Sequence, residues 1–194
     1  MLLYPIKTPM WIQKMWPNII WRKLHANQKI HLTFDDGPTP EITPWVLDWL
    51  GTNDYKATFF CIGKNVLRYP QIYERILAEG HAVGNHTFNH VNGWKTPLKT
   101  YLEEVEKTAQ LISSNLFRPP YGRLSLRQYQ ALKKHYKIVL WDILSGDFDP
   151  KCSKEQCLAN VSKNVKAGSI IVFHDSKKAS EKLKWVLTHL DLSI

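Results

Sequence analysis

Beyond residue 28 the chain alternates between short strand-like runs and longer helix-like stretches, which confines it to a parallel sheet or barrel with helices outside. KIHLTF (29–34) reads as the first strand. Thr39, with Pro40 behind it, reads as the N-cap and first turn of a helix running to Leu50, where Gly51 ends it. KATFFCIG (56–63) is the second strand, and a helix over 70–79 closes at Gly80. HAVGN (81–85) is a third, short strand. Thr96 and Pro97 cap a longer helix whose Leu98, Leu102, Val105, Ala109 and Ile112 recur at helical spacing and are expected to face the core. LFRPP (116–120) is a fourth strand, because paired prolines exclude a helix; 125–135 is helical, and YKIVLWD (136–142) is the fifth strand. Ser153 and Gln156 form a capping box for the next helix, and SIIVFHD (169–175) is the sixth strand, followed by a basic final helix.

A length of 194 residues fits one α/β domain, taken as 29–194, preceded by residues 1–28 as an N-terminal extension or strap. The extension is apolar but broken by Pro5, Pro9, Pro17, Lys7 and Lys14. It therefore shows no signal-type apolar core and is too interrupted to span a bilayer; a strap across the domain is expected in preference to a membrane-surface segment. No location is assigned. The net charge of +9 is read as a basic surface, with Lys177, Lys178, Lys182 and Lys184 crowded near the C-terminus. No strand carries the aromatic signature of an RNA-recognition fold, and nucleic acid is not the expected partner. Cys61, Cys152 and Cys157 make no CxxC pair and are read as reduced thiols. The 8 Trp and 8 Tyr exceed what the core needs, and some are expected to line a ligand cleft.

In a barrel of this kind the active site gathers where the strands end. Asp35 and Asp36 follow the first strand, His86 the third, Arg118 ends the fourth, Asp147 follows the fifth and His174 ends the sixth. Six competent side chains on one rim are hard to ascribe to surface polarity. His86 and His90 lie four apart, so on a helical turn both imidazoles would point the same way and could share a metal. By itself such a pair is more often a surface feature, and Asp35-Asp36-Gly37-Pro38 by itself a turn. Asp36 completes a His2Asp set that leaves positions for water and substrate, while Asp35 points elsewhere and could accept a proton from water at the metal. His81 reads as a hydrogen-bonded core histidine, and His25, His31, His135 and His189 have no motif context. Trp45 and Trp49, at i and i+4, read as core; Trp94, in the loop beyond His90, is the candidate for stacking on a ligand ring.

Thr33-Phe34-Asp35-Asp36-Gly37-Pro38, His86-Thr87-Phe88-Asn89-His90, Arg118-Pro119-Pro120-Tyr121-Gly122, Asp147-Phe148 and Ile171-Val172-Phe173-His174-Asp175 resemble the five ordered motifs of the NodB-homology polysaccharide deacetylases, carbohydrate esterase family 4. The resemblance spans about residues 29–176. It implies a distorted (β/α) barrel, a divalent ion (zinc first, with cobalt or nickel as the alternatives), and hydrolysis of N-acetyl, or by extension O-acetyl, groups on an amino-sugar polymer such as peptidoglycan or chitin. Asp35 would then be the catalytic base, Asp36, His86 and His90 the metal ligands, and His174 the acid that protonates the leaving amine. Arg118 would orient Asp35, Asp147 would pair with His174, and Tyr121 would offer its backbone N–H to the oxyanion; Asp142 and Asp149 are neighbouring alternatives for Asp147. The family usually has Trp where this chain has Phe148 and Leu where it has Val172. Both positions would wall the acetyl pocket, so the departures bear on substrate fit. The competing expectations are an amidase or deformylase using the same site, and a non-catalytic carbohydrate-binding module.

Overall fold

The alternating segments build seven parallel strands, seen in a computed structural model that describes residues 4–23 and 30–191. In chain order the elements are α1 (Met10–Met15), β1 (His31–Asp35), α2 (Thr43–Thr52), β2 (Ala57–Cys61), α3 (Gly63–Arg68), α4 (Pro70–Ala78), β3 (Ala82–Asn85), α5 (Leu98–Ala109), β4 (Leu116–Phe117), α6 (Leu126–Leu132), β5 (Lys137–Ile138), β6 (Ile143–Leu144), α7 (Lys154–Ser162), β7 (Ile170–His174) and α8 (Ser180–His189). The strand order is β5-β4-β3-β2-β1-β7-β6. Residue 29, the predicted start of the first strand, and His25 lie outside the described residues, as does the 28/29 boundary.

Curling of the sheet follows from one short connection. β5 and β6 occupy opposite edges, yet only Val139 to Asp142 separate them in sequence. A flat seven-stranded sheet would hold its edges about 29 Å apart at the usual strand spacing, whereas five extended residue steps reach at most about 18 Å. The sheet therefore bends into an open, distorted barrel, with the linker crossing the gap. Residues 4–23 cover the two edges: Leu144 N–H donates to Ile6 O (2.8 Å) and Thr8 N–H to Asp142 O (2.9 Å) along β6. On the other side Ile20 N–H donates to Ile138 O and Leu140 N–H to Ile20 O, both 2.9 Å. Edge backbone groups that would otherwise offer a template for another chain are thus paired.

Period-two alternation sorts β1 into two faces. Leu32 and Phe34 join the buried layer under α2 and α8, where Phe34 stacks on Phe59 and Phe173 at centroid distances of 5.1 and 5.9 Å. Thr33 and Asp35 point the other way, into the barrel, and meet Arg118. Trp45, Trp49 and His81 are structural as expected: both tryptophans pack against the core, and His81 is buried, accepting from Ala57 N–H at 3.3 Å. The three cysteines are buried and free.

Several expectations shift. The predicted fifth strand divides into β5 and β6, because its central residues cross from one sheet edge to the other. Gly51 does not end α2; the helix runs through it to Thr52, and Asp54 takes the left-handed turn at φ 53°. Thr39 is not the cap, since Ile42 is, and Thr39 N–H donates to the Thr43 hydroxyl. Thr96 does not cap α5 either, as its hydroxyl donates to Asn92 O. The buried stripe of α5 is Tyr101, Val105 and Thr108, leaving Leu98 38% exposed. Thr108 is buried without penalty because its hydroxyl donates to Glu104 O. No helix among the described residues is long and apolar enough to cross a membrane.

Candidate active site and metal centre

The Asp35–Asp36–Gly37 turn ends β1 and is fixed from behind by Asp175. Gly37 N–H donates to Asp175 Oδ1 (3.0 Å), the Thr43 hydroxyl donates to Oδ2 (2.5 Å), and Asp175 N–H donates to Asp35 O (3.1 Å). A Cβ at residue 37 would stand 2.0 Å from Asp175 Oδ2, so only glycine fits. Asp36 takes φ 82°, and its carbonyl accepts from Asn65 Nδ2 at 2.7 Å. The anchored turn leaves the two carboxylates facing different partners. Burial, with the Asp36 charge adding to it, raises Asp175 to about 7 against the Thr43 hydrogen bond.

His86 and His90 are not on a helical turn. They sit in the loop after β3, where Thr87 (φ 62°) and His90 (φ 57°) are left-handed. A β-branched residue with positive φ is strained and persists only when its surroundings over-determine it. Here Thr87 N–H donates to Asn85 Oδ1, its carbonyl accepts from Gly63 N–H, and its hydroxyl accepts from Val91 N–H. Of the five non-glycine residues with positive φ among those described, Asp36, Thr87, His90 and Tyr121 all belong to this rim. The strain is concentrated where side chains are aimed.

Aimed in this way, Asp36, His86 and His90 present one donor atom each within 4.8 Å of one another. Asp36 Oδ1 lies 3.2 Å from His90 Nε2 and 3.9 Å from His86 Nε2, and it is buried without a hydrogen-bond partner. His86 Nδ1 is 2.7 Å from the Arg118 carbonyl; donation to that acceptor leaves the Nε2 lone pair facing the cluster. Burial pushes His86 well below the ordinary histidine range, with the His90 charge next, and burial lowers His90 too. Neutral imidazoles are what ligation requires. An orphaned carboxylate oxygen beside two neutral imidazoles, one of them oriented by the Arg118 carbonyl, fits a divalent ion.

The remaining rim residues converge on the same cavity, of about 680 Å³, which Asp35, Asp36, His86, His90, Tyr121, Phe148, Val172 and His174 all line. Arg118 is fully buried, and its guanidinium donates to Asp35 Oδ1 (2.7 Å), Thr33 Oγ1 (2.8 Å), Val139 O (3.2 Å) and Leu140 O (3.1 Å). It joins the carboxylate to the linker that crosses the barrel gap. His174 Nδ1 lies 2.8 Å from Asp147 Oδ1, and His174 N–H donates to Oδ2 at 2.8 Å. Burial opposes charge on His174, but the Asp147 carboxylate outweighs it and raises the imidazole to about 9. Of the neighbouring aspartates, Asp142 accepts from the Ser169 hydroxyl and Asp149 from the Tyr4 hydroxyl. Phe148 packs edge-on against His174 at 4.9 Å, and the exposed Tyr121 ring covers His90 at 4.6 Å. Trp94 is exposed and lines the adjoining cavity instead. Tyr4 and Asn65, which local pattern does not mark, also line this cavity, and Asp175, directly after His174 in sequence, holds the Asp36–Gly37 turn.

Residues 23–137 match the pattern of the polysaccharide deacetylase family. The chain belongs to that family. Similar members include a peptidoglycan-N-acetylglucosamine deacetylase of Bacillus cereus, 36% identical over 76% of this chain and 56% of that protein. A chitooligosaccharide deacetylase of Azorhizobium caulinodans is 35% identical over 84% of this chain and 81% of that protein. The chain thus spans little more than half the length of the first relative. Among solved structures, a peptidoglycan N-acetylglucosamine deacetylase in complex with 4-naphthalen-1-yl-N-oxidanyl-benzamide superposes with a TM-score of 0.80 at 30% identity, covering 94% of this chain and 90% of that one. The distorted (β/α) barrel expected from the motifs is the family's fold.

Proposed function

We propose that the chain is a metal-dependent deacetylase that removes N-acetyl groups from a glucosamine-containing polymer or oligosaccharide of the kind named for its relatives. The observation that carries this reading is the position of Asp36, His86 and His90 between two further tools across one cavity: Asp35, held by Arg118, and His174, held by Asp147. Two nitrogen ligands and one carboxylate suit zinc, with cobalt and nickel as alternatives. An ion held there would polarise the acyl carbonyl and acidify water.

The protein's own groups supply the rest. Asp35, fixed by a 2.7 Å contact to Arg118, takes the proton of the attacking water. The backbone N–H of Tyr121 is the donor we assign to the oxygen that gains charge as the carbonyl is attacked. His174 then protonates the leaving amine, because expulsion of an amide anion would be far slower than loss of water. Asp147 keeps that imidazole protonated and in orientation. Phe148 and Val172 wall the acyl pocket.

Acetate release from N-acetylglucosamine oligomers or peptidoglycan fragments by the zinc- or cobalt-loaded protein tests the reading. Asp35→Asn and His174→Ala should each lose about 10²- to 10⁴-fold in rate. Unchanged turnover in either would sink its role, and glycan binding with no acetate would favour the binding-module reading.

A further inference from the structure

The N-terminal segment runs antiparallel along β6: Lys7 bridges Ile143, and Leu144 N–H donates to Ile6 O (2.8 Å). Carried past the end of β6, that register sets Tyr4 opposite Gly146, where the chain turns with φ 84° toward Asp147 and Phe148. A Cβ at residue 146 would stand 3.3 Å from the Tyr4 hydroxyl oxygen, a tight contact that glycine avoids, so the segment can come close. The hydroxyl donates to Asp149 Oδ2 (3.0 Å), while Asp149 Oδ1 accepts from Lys151 N–H (2.9 Å) and its carbonyl from Lys182 Nζ. Tyr4 is thereby tied to the turn that carries Asp147 and Phe148. It lies ahead of residues 23–137, so the stretch that matches the family pattern does not supply it.

This tie places one ring behind another. The Tyr4 ring meets the Phe148 ring at a centroid distance of 5.1 Å and an interplanar angle of 42°, and Phe148 meets His174 edge-on at 4.9 Å. All three line the cavity that holds Asp35, as does Val172. The two apolar walls differ in what holds them. Val172 is fully buried in β7, which pairs with β1 on one side and β6 on the other. Phe148 is half-buried in a turn, and the rings that fix its place are His174 in front and Tyr4 behind.

We propose that Tyr4 is a specificity-determining residue: its ring backs Phe148 and closes the acyl pocket to groups longer than acetyl. Without that ring Phe148 can swing off His174 into the space left behind, and the pocket lengthens by enough for the two further methylenes of a butyryl group. That the pocket receives an acyl group rests on the proposed deacetylation; that Tyr4 and Phe148 form one wall of the cavity rests on their contacts.

Calorimetric titration of the zinc-loaded protein with glucosamine tetramers bearing N-acetyl or N-butyryl groups, in an Asp35→Asn background that arrests hydrolysis, reads the pocket without turnover. The Asp35→Asn protein should bind the N-acetyl tetramer more tightly. Adding Tyr4→Ala should shift the ratio of the two affinities toward N-butyryl by about tenfold, the worth of two buried methylenes. Tyr4→Leu, which keeps an apolar side chain at the segment, should shift it the same way by less. Tyr4→Phe keeps the ring and loses only the bond to Asp149, so the ratio should hold. Phe148→Trp added to Tyr4→Ala refills the gap and should restore the preference for N-acetyl, a rescue that a general loosening of the N-terminal segment would not give. An unchanged ratio in both Tyr4→Ala and Tyr4→Leu, with zinc content and a cooperative melt retained, would overturn the proposal. So would an equal shift in Tyr4→Phe, which would assign the effect to the hydroxyl, or a ratio that Phe148→Trp fails to restore. Selective binding as described, with no carboxylate released when Asp35 is intact, would refute the deacetylase reading and leave the wall standing; binding of neither tetramer would overturn both.

Discussion

The strand-end rim and the N-terminal seam are both built at the open side of one barrel, by opposite means. The rim is polar, dense in hydrogen bonds, and holds four strained backbone positions in place. The seam is apolar, tied to the barrel by a few backbone pairings and by packing such as Trp16 against Tyr129 (5.2 Å). Strain needs over-determination, so the rim carries aimed side chains; a loosely tied wall suits selection of what enters beside them. Substitutions in the rim should therefore destroy chemistry, and those in the seam should alter stability or substrate choice and spare it.

The sharpest contrast should come from the ligands. His86→Ala or Asp36→Ala should lose bound metal, measured by elemental analysis, with acetate release down at least about 10³-fold; full occupancy in His86→Ala would remove that residue from the ligand set. Arg118→Ala should cost about 3–5 kcal/mol in denaturant unfolding, because it leaves Asp35 buried without its partner and removes the donor to Thr33 Oγ1, Val139 O and Leu140 O. A loss under about 1 kcal/mol would mean the barrel gap is held elsewhere.

Protonation offers a subtler break. Both His174 and Asp175 have raised values, about 9 and about 7, so the stability each lends is complete below its ordinary value, 6.5 and 3.8, and is lost as pH rises through the raised one. The metal-free protein should melt several degrees lower at pH 9.5 than at pH 6, and Asp147→Asn should flatten that slope and draw the alkaline limb of kcat/KM to lower pH. A pH-independent melting temperature would contradict the pairing. The smallest effect belongs to the seam: Trp16→Ala should cost about 1–2 kcal/mol and leave metal content unchanged.

The same contrast explains what could be read from the chain. Strand-end residues Asp35, Asp36, His86, Arg118 and His174 were legible because each follows a local apolar run, and the barrel brings all strand ends to one rim. The loop that aims His86 and His90 was not, since left-handed Thr87 and His90 depend on Asn85, Gly63 and Val91 rather than on helical spacing. Nor could YKIVLWD announce that it leaves one sheet edge and joins the other, because periodicity records burial and not which neighbour a strand chooses. Thr108 and Tyr101 shift the buried face of α5, because aliphatic spacing does not mark a hydroxyl-bearing side chain as core.

The central claim is that ion, base and acid work together on an N-acetyl group, and one measurement addresses it directly: the rate of acetate release from an N-acetylglucosamine oligomer before chelation, after it, and after zinc is returned. The account predicts a fall of at least about 100-fold on chelation and full recovery with zinc in the wild type, with no recovery in Asp35→Asn. Acetate release indifferent to chelation, or equal recovery in Asp35→Asn, would contradict it.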